Sequence, residues 1–208
     1  MGLNVVGWDA LYEALGSTGQ LLEGCTMFEL GNQRVVHRSQ TDKYGRHYTV
    51  WLPEFETAKA FFLFCGASRH VSMDLNGQDG ALPRDICDPV TDLGVFDVVT
   101  NFGCSEHIHD QRGCFQGLHA LCRVGGVMVH VVPPVGEWPG HGQYHYTEQF
   151  FEGLARANAY RVVLLRRAAG EPHRPLLCCG LVKQEDALFA CPRSLQAGTW
   201  MEDGTTTG

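Results

Sequence analysis

Six short, largely apolar runs, at residues 25–30, 70–74, 96–101, 127–132, 160–165 and 176–182, leave this chain few folds to choose from. Each is too short for a globular helix and is bounded by Gly, Pro or polar turns, so each reads as a buried strand. Helical spacing fills the gaps: Trp8, Leu11, Tyr12 and Leu15; Phe55, Ala58, Phe61, Phe62 and Cys65; residues 116–122, stopped by Gly125-Gly126; and Phe150, Phe151, Leu154 and Ala155. Parallel strands need crossovers of a dozen or more residues, which such helices supply. The last two runs are joined by residues 166–175 alone, which suits a hairpin and not a helical crossover. The order therefore predicts an α/β fold of three layers, with a mostly parallel sheet covered on both faces and closed by an antiparallel C-terminal hairpin.

Hydrophobic residues make up 44% of the 208 and charged residues 19%, enough for one domain to bury its own core. We expect a single domain over residues 1–192, with 1–24 as an N-terminal helical cap, the polar, aperiodic stretch 33–53 as an insertion or lid, and 193–208 as a flexible tail. The net charge of −7 is the wrong sign for binding by counterion release, which argues against nucleic acid. Nine cysteines, an odd number with no C-x-x-C, read as reduced thiols in the core. Residues 1–24 lack a basic segment followed by an apolar one, and no apolar stretch approaches the roughly 18 residues that span a bilayer. The expected location is cytoplasmic, without a membrane partner; the oligomeric state is open.

Ligands of open α/β sheets bind outside the carboxyl ends of the strands, which directs attention to the residues just after each run. Phe28-Glu29-Leu30-Gly31-Asn32 is a strand and turn ending on a glycine. Val71-Ser72-Met73-Asp74-Leu75-Asn76 ends a strand on an acid, and Asp85-Ile86 follows. Residues 96–108 run from Phe96-Asp97-Val98-Val99 through Asn101-Phe102-Gly103 to Glu106-His107-Ile108, and Leu121 to Val129 carries Gly125-Gly126 into the next strand. Together, in this order, these segments resemble the class I S-adenosylmethionine-dependent methyltransferases over roughly residues 26–182. The resemblance implies a seven-stranded Rossmann-like sheet and S-adenosyl-L-methionine as cofactor, released as S-adenosyl-L-homocysteine. It places Glu29, Gly31 and Asn32 near the methionine moiety, Asp74 and Leu75 at the ribose, and Asp85 and Ile86 at the adenine. Asn101, Phe102 and Gly103 complete the cofactor site. The chain departs from the family's acid-x-Gly-x-Gly-x-Gly pattern, since Gln33 and Val35 stand where two glycines are expected.

Methyl transfer requires alignment of a nucleophile and, where that nucleophile is protonated, a base. Histidine is the natural base because its ordinary pKa is near neutrality. His107, His109, His141 and His145 fall in the loops on the ligand side, and His141, His107 and His145 are the catalytic candidates, with His141 preferred for its flanking glycines. Some family members hold magnesium through Glu-x-x-Glu-His and a later histidine. Gly103 replaces the first of those acids here, so no metal is expected and Glu106 reads as a helix cap or a loop tie. Trp51, Trp138, Tyr144 and Tyr146 make a small organic acceptor the expected substrate. The alternative is a methyltransferase-like module that has lost catalysis and serves as a binding or scaffolding partner.

Overall fold

The computed structural model describes residues 2–35, 39–41, 47–49, 55–169 and 174–192. The expected lid at 33–53, including Trp51, lies largely outside these residues, as does the expected tail at 193–208. Within residues 33–53, two short strands, β2 (Ser39–Thr41) and β3 (His47–Thr49), pair antiparallel. The main sheet is built from β1 (Thr26–Leu30), β4 (Arg69–Met73), β5 (Phe96–Phe102), β6 (Cys122–Val132), β7 (Tyr160–Ala169) and β8 (Pro175–Lys183). Their order is β4-β1-β5-β6-β8-β7. β1 runs parallel to β4 and β5, β5 runs parallel to β6, and β8 is antiparallel to both β6 and β7.

Among the described residues the main sheet has six strands where the resemblance implied seven. Between β4 and β5, residues 75–95 form two single 3₁₀ turns at Gln78–Gly80 and Thr91–Leu93 and one isolated bridge, Met73 to Leu82. Arg84 fastens this stretch by donating to both Asp92 carboxylate oxygens and to the Pro89 carbonyl.

Period-two alternation sends neighbouring residues to opposite layers. Val127, Val129 and Val131 pack with the buried face of helix α1 (Val5–Gly16), which carries Val6, Ala10, Leu11 and Ala14, and with Phe61 and Phe62 of α2 (Ala58–Phe64). Met128 and Val132 face the other layer, with Cys114, Phe115 and Leu118 of α3 (Gln111–Leu121) and Phe150, Phe151 and Leu154 of α4 (Glu148–Ala157). Side chains cap each helix start: Asn4 accepts from the Gly7 N–H, Thr57 from Ala60, Asp110 from Gly113 and Thr147 from Phe150. Each cap satisfies one of the orphan donors of the first turn. α2 starts at Ala58, behind its Thr57 cap and three residues after Phe55, where its apolar period begins, and α3 starts five residues earlier than expected because Asp110 caps it.

Gly125-Gly126 does not end α3. The helix stops at Leu121 and the chain enters β6 at once, with the glycines in an irregularity where Phe96 faces Cys122 and Val98 already faces Val127. Gly125 is left-handed (φ +76°), and a Cβ on Gly126 would meet the Arg123 carbonyl at 2.9 Å. Below this bulge, Asp97 accepts from the Thr26 N–H and hydroxyl and from Arg123 Nε, joining the starts of β1, β5 and β6.

Two further glycines, Gly113 and Gly117, let α3 lie directly on residues 86–87. A Cβ on Gly117 would come 2.3 Å from the Ile86 carbonyl oxygen, a backbone atom that cannot rotate away. Gly117→Ala is expected to destabilise the fold by about 1–3 kcal/mol, read as a lower urea midpoint at unchanged slope. Gly16→Ala, whose new methyl meets nothing within 4 Å, should stay within about 0.5 kcal/mol of the parent.

Candidate functional site

At the carboxyl ends of β1, β4 and β5 a cleft of about 640 Å³ opens between the turns that follow them. That volume suits a drug-sized ligand, for which pockets of ~300–1,000 Å³ are usual. Of the residues predicted for the cofactor, Asn32, Asp74, Leu75, Asp85, Ile86 and Gly103 line it, joined by His107. Ile108, quoted in the Glu106-His107-Ile108 turn, also lines the cleft, together with Arg84, Cys87 and Cys104, for which no sequence signal was found.

Local bonds explain why these side chains converge. Asp74 follows the last residue of β4, and its carboxylate accepts the Asn32 N–H (3.3 Å) and the Asn76 N–H (3.0 Å), so it links the turns after β1 and β4. Asn76 Nδ2 donates to Asn32 Oδ1 across the same gap. Asp85 accepts the Cys87 N–H at 2.9 Å, a tight turn that presents Ile86. Gly31 is left-handed (φ +83°) and donates its N–H to the Met73 carbonyl. Its open face is taken up by Gln33: a Cβ on Gly31 would meet Gln33 Nε2 at 2.7 Å and Cys104 Sγ at 3.3 Å.

The remaining predicted residues do not line the cleft. Glu29 is 1% exposed and turns into the layer below, where its carboxylate accepts the Gln33 N–H and lies 3.7 Å from His70 Nε2. Burial pushes its pKa well above the usual carboxylate range, against the lowering effect of the Gln33 N–H. Phe102 is buried against α1, beneath Gly7. Asn101 is wholly buried and organises the turn after β5. Its Oδ1 accepts the N–H groups of Cys104 and Ser105, while Nδ2 donates to Ser105 Oγ and to His130 Nδ1.

That network continues. Ser105 Oγ meets the Tyr146 hydroxyl at 2.8 Å, which donates in turn to Gln111 Oε1, and Gln111 Nε2 donates to the carbonyls of Ser105 and Ile108. Since His130 Nδ1 is the acceptor for Asn101, its proton sits on Nε2. Burial holds its pKa down at about 3, so the ring is neutral. Tyr144 donates to the His109 carbonyl. Tyr144 and Tyr146 thus tie the loop after β6 to the turn after β5 and are spent as structural groups, not as an acceptor surface. Trp138 donates to the Pro175 carbonyl.

The turn and the loop bring three groups together. Glu106 is 0% exposed, and its backbone carbonyl accepts the N–H groups of Gln143 and Tyr144. Of the two roles expected, helix cap or loop tie, it has the second, and through its backbone; neither carboxylate oxygen has a hydrogen-bond partner among the described residues. His141 Nε2 lies 3.5 Å and His107 Nε2 3.8 Å from Glu106 Oε1. The two rings meet edge to face, centroids 5.0 Å apart. Burial lowers the His107 pKa, the Glu106 charge raises it, and His141 lowers it again. His145 is buried and its Nε2 pairs with the His141 carbonyl at 2.7 Å, so it props the loop. His109 borders the cleft and is exposed.

No family model matches the chain, and no curated protein matches it in sequence. Solved structures do match in shape. One is the 1,6-didemethyltoxoflavin-N1-methyltransferase of Burkholderia thailandensis, with 1,6-didemethyltoxoflavin and S-adenosylhomocysteine bound: TM-score 0.56, 17% identity, 87% of this chain and 79% of that one. A second is the N-methyltransferase NodS of Bradyrhizobium japonicum WM9 with S-adenosylhomocysteine, at 0.58, 15%, and 86% of each chain. A third, an S-adenosylmethionine-dependent methyltransferase of Mesorhizobium loti, gives 0.52 and 12% over 83% of this chain and 97% of that one. The fold is that of the class I methyltransferases. Among the described residues, no helix is long and apolar enough to cross a membrane.

Two outcomes follow from the buried polar groups. Tyr146→Phe leaves Gln111 Oε1 and Ser105 Oγ short of a partner and should cost about 1–3 kcal/mol of stability in urea titration. Secondly, burial holds His70 neutral with its pKa lowered to about 4, with Lys59 adding to the effect, as burial alone holds His130 near 3. Unfolded imidazoles protonate below ~6.5. Between those values the unfolded chain binds more protons, so stability rises with pH there and is lost as pH falls from about 6.5 toward 4. Glu29, whose raised pKa makes the folded chain hold a proton, acts with the opposite sign, so the readout is the difference between two proteins: urea midpoints of His70→Phe should fall less on acidification across this window than those of the parent.

Proposed function

We propose that the protein is an S-adenosylmethionine-dependent methyltransferase acting on a small organic acceptor. The observation that carries this reading is the meeting, in one cleft at the strand ends, of Asp74, Asp85-Ile86 and the Gly103 turn, beside the Glu106-His107-His141 cluster. Support comes from the neighbours of the same fold, two of which hold S-adenosylhomocysteine and one of which also holds its small-molecule substrate.

In this reading Asp74 accepts hydrogen bonds from the ribose hydroxyls, since each of its oxygens keeps a lone pair after the bonds to Asn32 and Asn76. Asp85 faces the adenine amino group, and Ile86, pressed forward by α3 at Gly117, packs against the ring. Gly31 and Asn32 border the methionine end. Glu29 acts there indirectly, through the Gln33 backbone. The cofactor supplies an activated methyl group, which leaves the chain with two tasks: aligning the acceptor and taking up its proton. His107, at the mouth of the cleft, and His141 beside it are the groups placed for that proton. The carboxylate of Glu106 behind them favours the charged imidazolium once it forms.

A second reading, a module that binds without catalysis, is favoured by one feature, the Gln33 amide packed over Gly31 where the resemblance implies an open glycine turn. Calorimetry with S-adenosylhomocysteine separates the two: micromolar binding supports the enzyme, and no binding at millimolar ligand supports the module. Asp74→Ala should weaken that binding by about 1.5–3 kcal/mol, or roughly 10- to 150-fold. Asp85→Ala should lose less, because one hydrogen bond is at stake. With an acceptor in hand, His141→Ala should lower turnover about 10²–10⁴-fold at unchanged cofactor affinity. If His107, His141 and His145 can each be replaced by Ala with more than half of the activity kept, general-base catalysis by these histidines is wrong.

A further inference from the structure

The least compensated group on the cleft side of the molecule is the Glu106 carboxylate. It is fully buried, and among the described residues no hydrogen bond reaches either oxygen. A buried carboxylate needs a counter-charge and ligands for its lone pairs, at a cost of several kcal/mol if it has neither. What surrounds it is two imidazole edges. His141 Nε2, itself buried without a hydrogen-bond partner, points at Oε1 from 3.5 Å, and His107 Nε2 from 3.8 Å. These separations exceed good N–H···O bonds. They are close to the ~3.3 Å that separates two donors on one tetrahedral ion with bond lengths near 2.0–2.1 Å.

We propose that Glu106, His107 and His141 form a binding site for a divalent transition metal of the zinc class. Their three ligand atoms lie within 4.8 Å of one another, so a small contraction brings all three onto one ion. The donor set chooses the metal. Magnesium requires oxygen ligands in near-ideal octahedral geometry, and this cluster offers one carboxylate. Two imidazoles and a carboxylate suit zinc, iron, cobalt or nickel. Three protein ligands leave a fourth position open, as catalytic zinc sites do. His107, one of the three, also lines the cleft, as do Gly103 and Cys104.

The backbone is shaped to hold this arrangement. Gly142 is left-handed (φ +74°), and a Cβ there would meet Glu106 Cγ at 2.9 Å and the Glu106 carbonyl at 3.0 Å. The loop therefore lies on Glu106 itself, fastened by the Gln143 and Tyr144 N–H groups on the Glu106 carbonyl and by His145 on the carbonyl of His141. A bound ion would polarise a water or an acceptor hydroxyl in the open position and ease loss of its proton. That task is the one assigned above to the free imidazoles. Metal binding itself does not depend on methyl transfer.

The test uses the whole protein, stripped with a chelator and kept reduced, and titrated near neutral pH with zinc, cobalt(II) and magnesium by calorimetry and, for cobalt, visible absorption. The expected result is one equivalent of zinc or cobalt bound at micromolar affinity or tighter, no magnesium binding below millimolar, and cobalt bands without the intense thiolate charge transfer that cysteine ligation gives. Glu106→Gln, His141→Ala and His107→Ala should each weaken cobalt binding by more than the roughly 10–100-fold typical of losing an outer-shell partner. His107 is half exposed, so its variant tests the site even if a Glu106 variant fails to fold. Cobalt binding that survives both histidine changes, or no zinc or cobalt binding below millimolar, overturns the proposal. Binding of S-adenosylhomocysteine, measured separately with and without metal, keeps failure of this site distinct from failure of the methyltransferase reading.

Discussion

The geometry of the ligand end rests on one buried amide. Asn101, in the last turn-ward register of β5, uses all four of its hydrogen-bonding positions inside the protein, two accepting from the backbone of the turn and two donating to Ser105 and His130. Through Ser105, Tyr146 and Gln111 the same chain of bonds runs into the loop after β6 and the first turn of α3. Breaking any of these bonds would leave a buried group to pay its desolvation cost, as His130 Nε2, which has no hydrogen-bond partner among the described residues, already does. The turn carrying Gly103, Cys104, Glu106 and His107 thus has essentially one way to sit. Both the cleft wall and the cluster of Glu106, His107 and His141 inherit their positions from it.

Much of the architecture could be read directly from residue spacing. α4 follows its apolar period residue for residue, since Thr147 caps it and Phe150, Phe151, Leu154 and Ala155 face the core. The six apolar runs are the six strands of the main sheet, and the short link before Pro175 does make the end antiparallel. What spacing could not give was a boundary set by a polar side chain. α3 begins at Gln111, a residue buried for its hydrogen bonds, so no hydrophobic signal marks that turn. Gly125-Gly126 looked like a helix stop because two glycines in a row fit a stop and a strand bulge equally well.

The site divides along the same line. Asp74, Asp85, Ile86 and Gly103 were legible because each follows a strand or turn, and chain topology puts such positions at the ligand edge. Glu106 was not legible as a buried, bare carboxylate. Its burial depends on residues 141–144 returning more than thirty positions later to lie on it, and nothing local records that. Tyr144 and Tyr146 misled in the opposite sense: their aromatic character suggested substrate contact, whereas their hydroxyls are already committed to His109 and to Ser105 and Gln111.

Gln33 packs its side chain over the left-handed glycine that follows β1. Its amide nitrogen fills the space above Gly31, the one place at the end of β1 where the backbone itself is bare. Any ligand that needs this space binds only the fraction of molecules in which the side chain has swung aside, and its apparent affinity is divided by that fraction. For such a ligand the cleft would behave as a two-population site, in which the Gln33 side chain competes with the incoming group for the same surface. Occupancy would then depend on side-chain packing around residue 33 as much as on the contacts the ligand makes once it is in.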